Sequence, residues 1–143
     1  VNDLNTARSQ IAAAGSDNTS ASASAGQIDN PGIQALSEQW NGTNWTDVAE
    51  LTTARSATAG LGTATASLVI GGRVPAVITN TELWNGTNWT ETTDLSTARR
   101  SLASALTAPQ ASALAFGGGP PVQSATEEWT GAGTGVTRTF TDS

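Results

Sequence analysis

Trp40-Asn41-Gly42-Thr43-Asn44-Trp45-Thr46 returns unchanged as Trp84-Asn85-Gly86-Thr87-Asn88-Trp89-Thr90. A fixed period of this kind means one supersecondary unit that buries its apolar face against copies of itself. Working outward, Leu-x-Thr-Ala-Arg occurs three times, from Leu4 to Arg8, Leu51 to Arg55 and Leu95 to Arg99, at spacings of 47 and 44 residues. A Gly-Gly pair follows each of the last two copies, as Gly71-Gly72 and Gly117-Gly118, and Trp129 stands 45 residues after Trp84. The chain reads as one repeat domain of three units, spanning approximately residues 1–47, 48–91 and 92–143.

Within each unit, short segments alternate with turn residues, the pattern of an all-β fold. In the second unit the expected strands are residues 56–61, 66–70, 80–84 and 88–92; in the third they are 101–106, 111–116, 125–130 and 136–141. Asn-Gly between paired strands predicts a two-residue type I′ hairpin, in which both central residues take positive φ. The flanking Trp side chains would then lie on paired strands and supply most of the large apolar surface between units, since an aromatic of this size removes about 150–250 Å² from water. A sugar-stacking platform is the alternative use for them. The first strands are small, as in Ile11-Ala12-Ala13-Ala14-Gly15 and Ala57-Thr58-Ala59-Gly60, which suits a place where strands converge. Radial four-stranded sheets around a channel answer that description.

Composition removes several function classes. The 143 residues are 37% hydrophobic, enough for one domain with a modest core. No run of about 18 apolar residues is present, so no membrane insertion is expected. His, Cys, Lys, Met and Tyr are all absent. That removes disulfides, thiolate metal sites and the usual general bases. No cluster of Asp or Glu has the spacing of a calcium loop either, so neither a metal nor a cofactor is expected. Six Arg face twelve carboxylates, a net charge of −6, so nucleic acid is not an expected partner, because phosphate binding needs clustered positive charge. The opening Val1, without Met, is read as a sign of processing or of excision from something longer.

The order of these motifs resembles the Kelch-repeat β-propellers: a Gly-Gly doublet ending strand two, an aromatic late in strand three (Trp84), a Trp in strand four, then a short loop to an Arg such as Arg99. The wording Trp-Asn-Gly-Thr-x-Trp-Thr with Leu-x-Thr-Ala-Arg also resembles repeats of tail-fibre and other structural proteins of marine bacteriophages. The resemblance implies an all-β fold of three four-stranded antiparallel blades, with Trp40, Trp45, Trp84, Trp89, Trp129, Gly71, Gly72, Gly117 and Gly118 as its repeated core. It also implies a viral structural protein, located in the virion or outside the cell. The first unit departs from the pattern, with Ala25-Gly26 in place of Gly-Gly and a longer polar loop over residues 17–24; the third replaces the tight turn with residues 131–135.

Propellers close with about four to eight blades. Three units therefore need a partner: a second copy, giving a homodimer that closes a six-bladed ring, or further blades of a longer chain. In Kelch-like propellers the position of Arg8, Arg55 and Arg99 lies near the channel mouth. These arginines, with Arg73, are the candidate ligand-binding residues, able to hold an anionic group bidentately. The competing role for the first three is a salt bridge between blades, to Glu38, Glu82 and Glu127, which recur at one place in every unit. Carboxylates that recur with the fold period suit structure better than a catalytic pair, which needs two different environments across one cleft. The sequons at Asn18, Asn41, Asn44, Asn85 and Asn88 are read as turn and strand residues.

Loops 28–34, 73–79 and 119–124 differ most among the units, and each carries Pro. Variable loops on a repeated scaffold are where binding specificity collects. The sequence thus points to a non-enzymatic structural or binding module, a phage virion or tail-fibre component contacting a host-surface glycan or another structural protein. The alternative is a lectin-like soluble carbohydrate-binding propeller.

Overall fold

The computed structural model describes residues 1–29, 32–106 and 108–130, with no helix among them. The first sheet holds β1 (Ala12–Asp17), β2 (Ser20–Ser24), β3 (Ser37–Trp40) and β4 (Trp45–Val48), in that order. The second holds β5 (Ala59–Thr63), β6 (Ala66–Ile70), β9 (Thr81–Trp84) and β10 (Trp89–Glu91), with a small hairpin of β7 (Arg73–Val74) and β8 (Ala76–Val77) inserted between β6 and β9. The third sheet consists of β11 (Ala103–Ser104), β12 (Ser112–Phe116) and β13 (Thr126–Thr130). Neighbouring strands are antiparallel throughout. The described residues thus form two four-stranded sheets and one of three strands, not a closed propeller. The fourth strand expected at 136–141 lies outside the described residues.

The small first strands run side by side, β1 against β5 and β5 against β11. Gly60 shows why: a Cβ there would sit 2.7 Å from the Ala13 carbonyl oxygen and 2.8 Å from its nitrogen. Two clusters of buried side chains fill the seams. Ala12 and Ala25 of the first unit meet Leu51, Val69, Trp84 and Trp89 of the second. Ala59, Leu61, Leu68 and Ile70 of the second meet Leu95, Leu102, Ala113, Ala115 and Trp129 of the third. Leu61, Leu68 and Ile70 are at most 1% exposed, and burial of each contributes about 1.5–3 kcal/mol. Each unit therefore completes its core only against its neighbour.

Two local expectations need correction. Trp40 pairs directly with Trp45, and Trp84 with Trp89, so four residues span each hairpin. The turn is not type I′: Gly42 and Gly86 take positive φ while Asn41 and Asn85 do not. The Asn side chain closes the loop instead, Asn41 Oδ1 accepting from the N–H groups of Thr43 and Asn44 at 2.9 Å each, and Asn85 Oδ1 doing the same for Thr87 and Asn88. This is the Asx-turn chemistry open to Asn. The first strands also begin later than expected, because Ala57 (φ 56°) and Ser101 (φ 53°) are left-handed and break the extended run ahead of Ala59 and Ala103. In the first unit, Ala25 (φ 60°) and Gly26 (φ 107°) reproduce the backbone of Gly71 (φ 59°) and Gly72 (φ 109°), so the turn survives loss of one Gly.

Candidate functional site

Each Leu-x-Thr-Ala-Arg run is fastened to the third strand of its own sheet. Glu82, on β9, accepts from the backbone N–H of Thr52 at 2.7 Å and of Thr53 at 3.2 Å, and from the Arg55 guanidinium. Glu38 does the same for Asn5 (2.7 Å), Thr6 (3.4 Å) and Arg8 (2.8 Å). Glu127 accepts from Ser96 (2.8 Å) and Arg99 (2.6 Å).

The Nη1 donors go to main-chain oxygens. Arg8 Nη1 reaches Ala25 O at 3.1 Å and Leu36 O at 2.7 Å; Arg55 Nη1 reaches Gly71 O at 3.4 Å and Asn80 O at 2.6 Å; Arg99 Nη1 reaches Gly117 O at 3.0 Å and Ala125 O at 2.8 Å. All three arginine side chains are 0% exposed. The salt bridge expected between blades is therefore made within each unit, because the Arg run returns beside β3, β9 or β13 of its own sheet. The Nη donors of these guanidinium groups thus go to structural acceptors inside the unit, while Nε of Arg8 and of Arg99 is buried without a hydrogen-bond partner among the described residues.

Arg73 and Arg100 stand apart, and neither is ion-paired among the described residues. Both are half-buried and both lie where the loop after strand two meets the residue after the buried arginine. That junction repeats as the isolated bridges Ser9 to Gln27, Ser56 to Arg73 and Arg100 to Gly119. Arg73 donates to Gln27 Oε1 at 3.0 Å and Ser56 Oγ at 3.4 Å. Arg100 lines a groove of about 620 Å³ with Ser101, Gly118, Gly119, Pro120, Pro121 and Val122. The matching place in the first unit is a groove of about 450 Å³ with Ser9, Gln27, Ile28 and Asp29 on its walls. The repeat thus builds one loop face, and the units dress it differently.

A third depression, about 270 Å³, lies on the outward side of the first sheet between Trp40, Trp45, Ala21, Val1, Asn2, Asp17 and Asn18. The two indoles are tilted by 44° with centroids 5.6 Å apart. Trp40 Nε1 donates to Asn18 O at 2.9 Å. Asp17 accepts from Thr19 Oγ1 at 2.6 Å and from Thr19 N at 2.8 Å, and these bonds hold its carboxyl below the ordinary aspartate range. The equivalent pair, Trp84 and Trp89, has centroids 5.3 Å apart but is buried under the first unit.

Of the residues singled out in the sequence, the structure puts Arg8, Arg55 and Arg99 in buried clips and Arg73 on the loop face. Trp84, Trp89 and Trp129 lie in the seams, and Trp45 is half-buried on an outward face. Gly71 and Gly72 are buried, whereas Gly117 and Gly118 are half-buried. Arg100 was missed. Its signal is that Ser9 and Ser56 hold the same place in the other units, so Arg100 breaks the repeat. No group of three or more acidic residues able to hold a metal ion occurs among the described residues. No protein-family model matches the chain, and no curated protein matches it.

Proposed function

We propose that this chain is a non-enzymatic structural and binding module built of Kelch-like propeller blades, serving as a component of a phage virion or tail fibre. The loop face holding Arg73 and Arg100 is its contact surface for a host glycan or another structural protein. The observation that carries this reading is a division of labour among the arginines. Those that follow the repeat are held in buried clips, while the two described arginines that break it gather at one face beside the Pro-containing loops. A guanidinium without a carboxylate partner, set in a groove, suits an acidic sugar or a carboxylate side chain.

The test is binding of the chain to immobilised oligosaccharides, acidic and neutral. Preference for acidic glycans, weakened at least tenfold in R100A and falling with salt, is expected. Equal binding by R100A, or none to any acidic glycan, would count against the loop face. A second reading, a lectin-like carbohydrate binder, rests on the depression beside Trp40 and Trp45, where an aromatic wall meets the Asp17 carboxylate. It predicts that a neutral sugar shifts Trp emission in the unaltered chain and not in W45A.

A further inference from the structure

Each seam between consecutive units carries the same four backbone hydrogen bonds. At the first, Leu51 N donates to Ala35 O (2.9 Å), Arg55 N to Gln34 O (3.1 Å), Ala57 N to Gln10 O (3.0 Å) and Gly26 N to Arg55 O (2.8 Å). At the second, Leu95 N donates to Thr79 O (3.0 Å), Arg99 N to Ile78 O (3.3 Å), Ser101 N to Ala57 O (2.8 Å) and Gly72 N to Arg99 O (2.9 Å). An apolar layer is buried between these bonds at both seams.

The outward face of the third sheet repeats the acceptor side of that seam with none of the described residues packed over it. Phe116 opposes Ala103 as Ile70 opposes Ala59, so Leu114 and Phe116 hold the register of Leu68 and Ile70. Leu68 and Ile70 are 1% and 0% exposed; Leu114 and Phe116 are 37% and 41% exposed. The carbonyls of Ser101, Gln123 and Ser124 and the N–H of Gly118, which match the seam groups of the second unit, make no hydrogen bond among the described residues. The outward face of the first sheet is the complementary half. There the N–H groups of Leu4, Arg8 and Gln10 and the carbonyl of Arg8 also make no hydrogen bond among the described residues. Trp45 is half-buried where Trp89 is covered.

Three donors and one acceptor on one face thus meet three acceptors and one donor on the other, at positions already joined twice inside the chain. We infer that the outward face of the third sheet docks onto the outward face of the first sheet of a second copy of this chain, and that two such contacts close the pair. An interface of two unlike faces either closes into a ring or runs on as a filament; here two identical contacts satisfy both faces of both chains. The inference does not rest on the glycan reading, since it is argued from the repeated seam bonds and the apolar faces; Ser101 and Gly118 are shared with the groove beside Arg100.

Light scattering across the micromolar range tests it, with twice the 14.4 kDa chain mass expected. The double variant Leu114→Glu with Phe116→Glu should fall to the single-chain mass, as should Trp45→Glu. Mixing the two variants should restore a two-chain species, because one intact face of each kind remains. Hydrogen exchange on the unaltered chain gives an answer that does not depend on a variant folding: the amides of Leu4, Arg8 and Gln10 should be protected like those of Leu51, Arg55 and Ala57. A single-chain mass at every concentration, an open-ended series of multimers, a double variant that keeps the twofold mass, or fast exchange at those three amides would overturn the inference.

Discussion

Replacing Glu82 by Gln changes one oxygen for an amide and leaves the side chain's shape almost intact, yet the structure makes it a severe change. The Arg55 and Glu82 side chains are 0% and 1% exposed. Removing the negative charge leaves the guanidinium charged, dry and without its counter-ion. Breaking a buried pair in this way costs about 3–5 kcal/mol, far above the about 0–1 kcal/mol of an exposed pair. Glu82 also accepts from Thr52 N and Thr53 N, and an amide turned the wrong way would present hydrogens to one of them, adding about 1–3 kcal/mol for a buried donor left without a partner. Against a total stability of about 5–15 kcal/mol, E82Q should lose a third or more of it. Urea unfolding followed by Trp emission measures this, because Trp84 and Trp89 lie in the seam beside Leu51. Glu128→Gln, on the opposite side of its strand and half-buried, should stay within about 0.5 kcal/mol. If E82Q cost less than about 1 kcal/mol with an unchanged m-value, the clip would not be what fastens the Leu51–Arg55 run to β9.

Gly72→Ala should destabilise by about 3 kcal/mol in the same assay, because φ 109° suits Gly alone and the new Cβ would lie 2.7 Å from the Ser56 carbonyl oxygen. Ala57→Gly should stay within about 0.5 kcal/mol of the unaltered chain, since relief of a left-handed alanine, about 1–2 kcal/mol, is offset by the entropy lost by a glycine, about 0.5–1 kcal/mol, and by the lost burial of the core methyl, about 0.8 kcal/mol; a loss above about 1 kcal/mol would refute that. In the double variant Leu114→Glu with Phe116→Glu, which leaves Trp45 uncovered, iodide should quench Trp45 well before Trp84 or Trp89, which single-Trp-to-Phe variants resolve. Asp17, whose carboxyl is held low by Thr19, should support the turn between β1 and β2 at all pH above the ordinary aspartate range. That support should be lost as pH falls through the lowered value, which NMR titration of Asp17 beside the Thr19 amide would follow.

The repeat made much of this fold legible. Identical heptapeptides and a recurring Leu-x-Thr-Ala-Arg run led to three all-β units with Trp on paired strands, because the alternation of strand residues and turns is written locally. The failures are equally local in origin. Asn-Gly reads as a type I′ turn when taken as a pair, but Asn41 has a side chain that can close a four-residue loop, and the pairing of Trp40 with Trp45 selects that option. The late start of β5 follows from a left-handed Ala57, which its residue type does not announce and which the seam bond to Gln10 accompanies.

By itself, then, the sequence determined the unit, its number of copies and the residues that break the pattern, since periodicity and its exceptions need no coordinates. The tertiary structure alone decided which partner each charge would find. Arg55 and Glu82 are 27 residues apart in the chain, and nothing in that spacing says whether they meet within one sheet or across two. The answer comes from the path of the chain, which brings the run before each first strand back beside the third strand of the same sheet. Burial then makes that meeting strong, and it leaves Arg73 and Arg100 as the described arginines without an ion pair.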